Sequence, residues 1–237
     1  MTKPQVLVDG DPFCYRAAFS CQGEPLEEAI EKIDGLLDQA LFDVAYRLCP
    51  TEENTQVFLT GSGNFRYDIA VSYPYKGNRK SGEKPEHLQG LRDHLVDNWG
   101  AVISEEEEAD DLIGIAATDY GPQAVVVSVD KDMLQLPCQH YNPNKQEVSE
   151  VSEEEGLKFF YTQVLTGDRV DNIMGLYRVG PVKASKLLEG LTKEEDLYVA
   201  CLQAYEGDED RVIENARLLW LRRFENQLWE PPKCDQD

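Results

Sequence analysis

The sequence predicts an α/β protein: a doubly wound, mainly parallel sheet with a helical region at its C-terminal end. Three observations carry that reading. Short β-branched runs alternate with stretches of helical period over about the first 166 residues. The run Ala124–Val129 is apolar but for Ser128, as in a parallel strand covered on both faces. Beyond Gly167 only helical patterns remain.

In chain order, Gln5-Val6-Leu7-Val8 reads as the first strand. Leu26, Ala29, Ile30, Ile33, Leu37, Ala40, Leu41, Val44 and Leu48 are three and four apart, which predicts a long helix with Pro25 at its first turn. Val57-Phe58-Leu59 is the next strand. Asn64–Lys84 has no clear period. Pro85 opens a helix carrying Leu88, Leu91, Leu95 and Trp99. Ala101-Val102-Ile103 is the third strand, and a helix from about Asp110 stops at Gly121. Ala124–Val129 is the fourth strand, and His140-Tyr141-Asn142 a short edge strand. Ser152 and Glu155 form a capping box before the Leu157–Leu165 helix, which Gly167 ends. Pro181–Leu188, Glu194–Ala204 and Glu209–Phe224 read as helices, and Pro231–Asp237 as a loose tail. The expected division is 1–166 for the α/β core, with a basic segment at about 66–99, and 167–237 for the helical region.

The 237 residues carry 45 acidic against 23 basic side chains, a net charge of −22. That excludes nucleic-acid coating by a generally basic surface and makes anionic membranes poor partners. The apolar runs are too short to span a bilayer. Met1-Thr2-Lys3-Pro4 lacks a secretory n-region, so a cytoplasmic protein without membrane contact is expected. Cys14, Cys21, Cys49, Cys138, Cys201 and Cys234 form no CxxC pair and read as reduced thiols.

The acid is clustered. Asp9 and Asp11 follow the first strand, and Glu108, Asp110 and Asp111 the third. Asp130 and Asp132 follow the fourth, and Asp168 and Asp171 the helix ending at Gly167. In an open parallel sheet the C-terminal strand ends border one crevice, so the first three groups are expected to converge. Asp130 and Asp132, two apart in extended chain, should point the same way. Asp168 and Asp171, three apart, should share a helical turn. So many carboxylates repel one another unless a hard divalent cation sits among them. Carboxylates without His or Cys suit Mg²⁺ or Mn²⁺, and their number suggests two ions, as in phosphodiester cleavage. Asp11, before Pro12, reads first as a turn or helix cap, Asp111 as either cap or ligand, and Glu105–Glu107 as a solvated run.

Between Arg66 and Lys84 the charge reverses: Arg66, Lys76, Arg79, Lys80 and Lys84 stand against Asp68 and Glu83. Such a patch suits a polyanion, with phosphates on Lys and Arg and Tyr75 stacked on an unpaired base. Gly175–Leu188 sets a Gly-bounded hairpin before a helix with Pro181 in its first turn. Gly180 lets backbone N–H groups approach a phosphate, and Arg178, Lys183 and Lys186 add charge. The segment resembles the helix-hairpin-helix motif, which holds DNA backbone without reading sequence.

Taken in order, Val8-Asp9-Gly10, Phe65-Arg66, Tyr75-Lys76-Gly77-Asn78-Arg79, Glu108-Ala109-Asp110-Asp111, Val129-Asp130-Lys131-Asp132 and Gly167-Asp168-Arg169-Val170-Asp171-Asn172 resemble the flap endonuclease, or 5′-nuclease, superfamily. The compact spacing is similar to that of its bacteriophage 5′-3′ exonucleases. The resemblance implies a PIN-like fold and a two-metal-ion hydrolase acting on DNA 5′ ends, flaps or RNA–DNA hybrids, giving 5′-phosphate products, as a monomer. It implies that Asp9, Glu108 and Asp110 serve one metal region and that Asp130, Asp132, Asp168 and Asp171 serve the second, with Asp110 near both. It implies Lys76 and Arg79 at the scissile phosphate and a K⁺ ion at the hairpin carbonyls. One departure stands out. The family has an aspartate after its second strand, where this chain reads Leu59-Thr60-Gly61-Ser62. Either Thr60 holds a water of the ion's shell, or the first ion binds more weakly. That departure keeps open a catalytically weak or inactive junction-binding protein of the same fold. A haloacid-dehalogenase-like phosphatase with Asp9 as nucleophile is a further alternative, but it leaves Glu108–Asp111, Asp130, Asp132 and the hairpin without a role.

Overall fold

The computed structural model describes residues 5–48, 54–79 and 82–233, so Lys80, Cys49 and Cys234 lie outside the described residues. Two compact units are present. The first comprises 1–63 with 82–151, and the second 64–81 with 152–237.

The first unit contains β1 (Gln5–Asp9), α1 (Asp11–Ser20), α2 (Leu26–Arg47) and β2 (Asn54–Ser62). After α3 (Arg66–Ile69), which belongs to the second unit, come α4 (Leu88–Trp99), β3 (Val102–Glu105) and α5 (Ala109–Tyr120). β4 (Ala124–Val127), β5 (Gln139–Asn142) and β6 (Glu147–Glu150) complete the sheet. The strand order is β3-β2-β1-β4-β5-β6, parallel except for β6 against β5. Val6, Val8, Val57, Leu59, Val125 and Val127 turn to one face, where they form a core with α1, α2 and α4. The alternate residues Leu7, Phe58 and Val126 are buried on the other, where α5 crosses β1, β2 and β4. The strand order reverses between β1 and β4, which places a crevice at their C-terminal ends.

Two local expectations change, and one strand is added. Asp11, read as a turn or helix cap, is the first residue of a ten-residue helix, α1, capped by Gly10, and Pro12 suits its first turn. Tyr15 and Phe19 are exposed on that helix while Phe13, Cys14, Ala17 and Ala18 are buried, so apolar residues on both faces hide its period. His140-Tyr141-Asn142 is not at the edge, because β6 pairs outside it. All four residues of β6 are exposed, so no alternation marks it in sequence.

The second unit holds α3, α6 (Glu153–Thr166), β7 (Gly167–Asp168), β8 (Ile173–Met174), α7 (Pro181–Leu187), α8 (Glu194–Ala204) and α9 (Glu209–Leu219). Its core joins Phe160, Val164, Leu197, Cys201, Val212 and Ala216. Since α6 contributes Phe160, Tyr161, Val164 and Leu165 to this core, it belongs here, and the expected division at 166/167 moves to 151/152. The expected 66–99 segment is divided as well, because α4 packs into the first unit's core. Gly167 has φ 67°, and a Cβ there would lie 2.2 Å from the Gly175 nitrogen, so the β7–β8 hairpin closes only with glycine at this point. No described helix is long and apolar enough to cross a membrane.

Candidate metal and nucleic-acid sites

In the first unit the carboxylates at the β1 and β4 ends and at the start of α5 do gather. Asp9 ends β1 and is 5% exposed. Ser128 donates a hydrogen bond to Asp9 Oδ2 (2.9 Å) and accepts one from the Asp130 N–H (3.0 Å). Burial pushes Asp9 up to about 7 against the ordinary 3.8, and the negative charges of Asp11 and Asp130 add to that rise. Asp110, in the first turn of α5, is also held well above the usual carboxylate range, by burial first and then by Asp9, Glu108, Asp130 and Asp111. A helix N-terminus favours negative charge, yet desolvation and repulsion outweigh it here. Among the described residues no three of these groups already point at one ligating position. The donor set is all carboxylate oxygen with an unmet demand for positive charge, which fits Mg²⁺ or Mn²⁺ and not a soft metal.

Two expected ligands are engaged elsewhere. Asp111 is fully buried, and its carboxylate accepts the Glu108 N–H (3.2 Å) in a capping box, so it is a helix cap. Glu108 reciprocates in that box through its own side chain and stays half-buried at the cluster's rim. Asp132 does not extend alongside Asp130. Asp130 caps a 3₁₀ turn, Lys131–Gln135, accepting the Asp132 N–H (2.8 Å), and Asp132 pairs with Lys131 (2.6 Å).

Sequence reasoning passed over Ser128 and Arg92. Arg92 on α4 pairs with Asp11 and donates to the Thr60 carbonyl. The Thr60 N–H donates to Asp11 Oδ2 (2.8 Å), and the Thr60 hydroxyl accepts the Ala109 N–H (3.1 Å). An arginine on an otherwise ordinary amphipathic helix gives no signal in sequence. Cys138 and His140 approach to 3.6 Å, but both are buried.

In the second unit Asp168 and Asp171 lie in the β7–β8 hairpin, not on a helix. Asp168 Oδ1 accepts the Val170 N–H (2.7 Å) within that turn. Asp171 pairs with Arg79 (2.6 Å) and Lys76 (3.9 Å) and accepts from the Tyr75 hydroxyl (2.9 Å). Asn172 donates to the Pro74 carbonyl (2.8 Å), so the acidic turn and the basic segment fold together. Tyr75 is 3% exposed in the core, which overturns its expected base-stacking role, whereas Tyr177 beside Arg178 is 83% exposed. Gly180 is the N-cap of α7, and Arg178, Lys183 and Lys186 are exposed.

Arg66, expected to contact nucleic acid, is 2% exposed. Its guanidinium donates to the carbonyls of Leu218 (2.9 Å) and Trp220 (2.8 Å), tying α3 to the end of α9. Arg66→Met should therefore cost about 2–4 kcal/mol, lowering Tm by about 5–12 °C, because two buried carbonyls lose their donors. The affinity of the folded variant for DNA should not change. Weaker binding at an unaltered Tm would restore Arg66 to the nucleic-acid surface.

Residues 4–163 match the family model described as the 5′-3′ exonuclease N-terminal resolvase-like domain. The chain is 32% identical over 213 residues to DNA polymerase I of Rhizobium leguminosarum, covering 77% of this chain and 20% of that protein. It therefore spans about a fifth of that relative. It is 27% identical to the flap endonuclease Xni of Aeromonas hydrophila, covering 69% of this chain and 67% of the relative. It is also 27% identical to a 5′-3′ exonuclease of Buchnera aphidicola, covering 83% and 73%. Among solved structures, T5 5′-exonuclease with bound zinc superposes with a TM-score of 0.68 at 15% identity, covering 91% of this chain and 88% of that one, which shows a shared fold.

Proposed function

Because this chain belongs to the 5′-3′ exonuclease N-terminal domain family, within the flap endonuclease superfamily, we propose that it hydrolyses phosphodiester bonds at DNA 5′ ends or flaps, with RNA–DNA hybrids as further substrates. The observation that carries this reading is the gathering of Asp9, Asp110 and Asp130 at the switch point, where Asp9 and Asp130 raise the cost of charge on Asp110 and Asp130 raises it on Asp9. Asp9, Glu108, Asp110 and Asp130 would hold a divalent cation. The sequence resemblance assigns Asp130, Asp132, Asp168 and Asp171 to a second ion, and K⁺ to the hairpin. Bound there, Mg²⁺ or Mn²⁺ would activate the attacking water and offset charge developing on the phosphate.

The chain's own residues prepare that chemistry. Ser128 fixes the Asp9 carboxylate and the Asp130 backbone together. Lys76 and Arg79 supply positive charge for the scissile phosphate, and Asp171 orients them until a phosphate competes for them. Arg178, Lys183 and Lys186, exposed around Gly180, would hold the duplex backbone without reading bases. With the 3′ oxygen as leaving group, products carry 5′ phosphates. Thr60, where the family has a carboxylate, favours the binding-only reading as the second choice.

Product analysis decides between them. Labelled duplex, flap and hybrid substrates should yield 5′-phosphorylated fragments with Mg²⁺ or Mn²⁺ and none with EDTA. Tight binding without cleavage in either metal would select the binding-only protein. Products ending in a 3′ phosphate would refute the leaving group assigned here.

A further inference from the structure

We propose that Thr60 is a positioning residue: clamped by Asp11 and Arg92, it sets the placement of Asp9 and Asp110 toward the divalent cation by hydrogen bonding, where a carboxylate would act by ligation. The inference rests on the metal-dependent nuclease reading and concerns how that site is built.

All three polar groups of Thr60 are committed, each to a different element. Its N–H donates to Asp11 (2.8 Å), in the first turn of α1 and two residues past Asp9. Its hydroxyl accepts the N–H of Ala109 (3.1 Å), the first residue of α5, adjacent to both Glu108 and Asp110. Its carbonyl accepts from Arg92 on α4, which also pairs with Asp11. A single residue near the end of β2 thus ties down the start of α1, two residues past Asp9, and the start of α5, which carries Asp110.

The next residue strengthens the tie. The Gly61 N–H donates to Ser104 Oγ (3.0 Å), which in turn donates to the Glu107 carbonyl (2.6 Å). A Cβ on Gly61 would stand 1.9 Å from the Ser104 carbonyl oxygen, so β2 and β3 approach here as closely as backbone allows. The Arg92 and Asp11 side chains are only 17% and 19% exposed, so the clamp is a sheltered pair with little freedom to swing. Ligand orientation matters because partners behind metal ligands govern affinity, and losing one typically weakens a site 10–100-fold. The hydroxyl of Thr60 is such a partner for Glu108 and Asp110, acting through the Ala109 backbone.

The test compares Thr60→Val, which keeps shape and strand preference but not the acceptor, with Thr60→Ser, which keeps the hydroxyl. Mg²⁺ is titrated against each, read by the thermal shift of the DNA-free protein and by cleavage. Thr60→Val should raise the half-saturating Mg²⁺ about 10–100-fold in both readouts, while Thr60→Ser stays near wild type. Arg92→Lys, unable to span Asp11 and the Thr60 carbonyl together, should shift the midpoint in the same direction. A wild-type midpoint for Thr60→Val, or equal shifts for Val and Ser, would overturn the clamp. Should Thr60→Val not fold, a wild-type midpoint for Arg92→Lys overturns it instead. Failure of the nuclease reading looks different: the wild-type protein itself would show neither Mg²⁺-dependent cleavage nor a Mg²⁺-dependent thermal shift.

Discussion

Asp110→Asn should melt later than the wild-type protein in metal-free buffer at pH 8, and should cleave DNA at least about 100-fold more slowly. The two effects share a cause. Burial and neighbouring carboxylates raise the Asp110 carboxyl well above its ordinary value and bring Asp9 up to about 7. A carboxyl whose pKa rises on folding favours the folded state only while protonated. The metal-free protein therefore loses stability as pH climbs from the ordinary 3.8 through about 7. An amide of the same shape cannot ionise, so the variant is free of the cost of holding that buried, crowded carboxyl at high pH. The expected gain at pH 8 is about 1–3 kcal/mol, or about 2–9 °C, vanishing near pH 4. Added Mg²⁺ should raise the wild-type Tm and leave that of the variant where it was. Calorimetry at both pH values, with and without Mg²⁺, measures all of this. A variant less stable than wild type at pH 8 would mean that repulsion does not dominate the cluster.

The second large effect is expected on α7. Lys183→Glu with Lys186→Glu reverses two exposed charges on a helix whose burial rests on Ala184, so the fold should tolerate it. Affinity for duplex of any sequence should fall about 10–100-fold at moderate salt, and the dependence of log K on log salt should flatten by about 2. Fluorescence anisotropy in EDTA, where nothing is cut, gives both numbers. Equal affinity and slope would remove α7 from the DNA-binding surface.

What sequence revealed here was whatever leaves a periodic or clustered trace. The parallel strands β1 to β4 show as apolar, β-branched runs, and Asp9, Asp110 and Asp130 show because each follows one of them. Motifs could not say how each side chain is spent. Arg66 and Tyr75 lie in a basic, aromatic segment, yet both turn inward, because an arginine can cap a helix's last carbonyls as well as meet a phosphate. Asp168 and Asp171, three apart, suggested a helix. Gly167 and Gly175 close a hairpin there instead, a matter of backbone approach that spacing does not encode. The Asp111 cap and the Thr60 clamp depend on partners about 3 and 49 residues away, and only the second was beyond local reading.

The acidic rim at β6 has a consequence for how the protein behaves in concentrated solution. Glu147 and Glu150 close both ends of that outermost strand, whose inner side is paired to β5. Another chain adding there as a further strand would bring its own backbone within about 5 Å of that rim. Two such rims meeting would set glutamate near glutamate, so fibrous growth from this border, where no further strand pairs, is electrostatically discouraged.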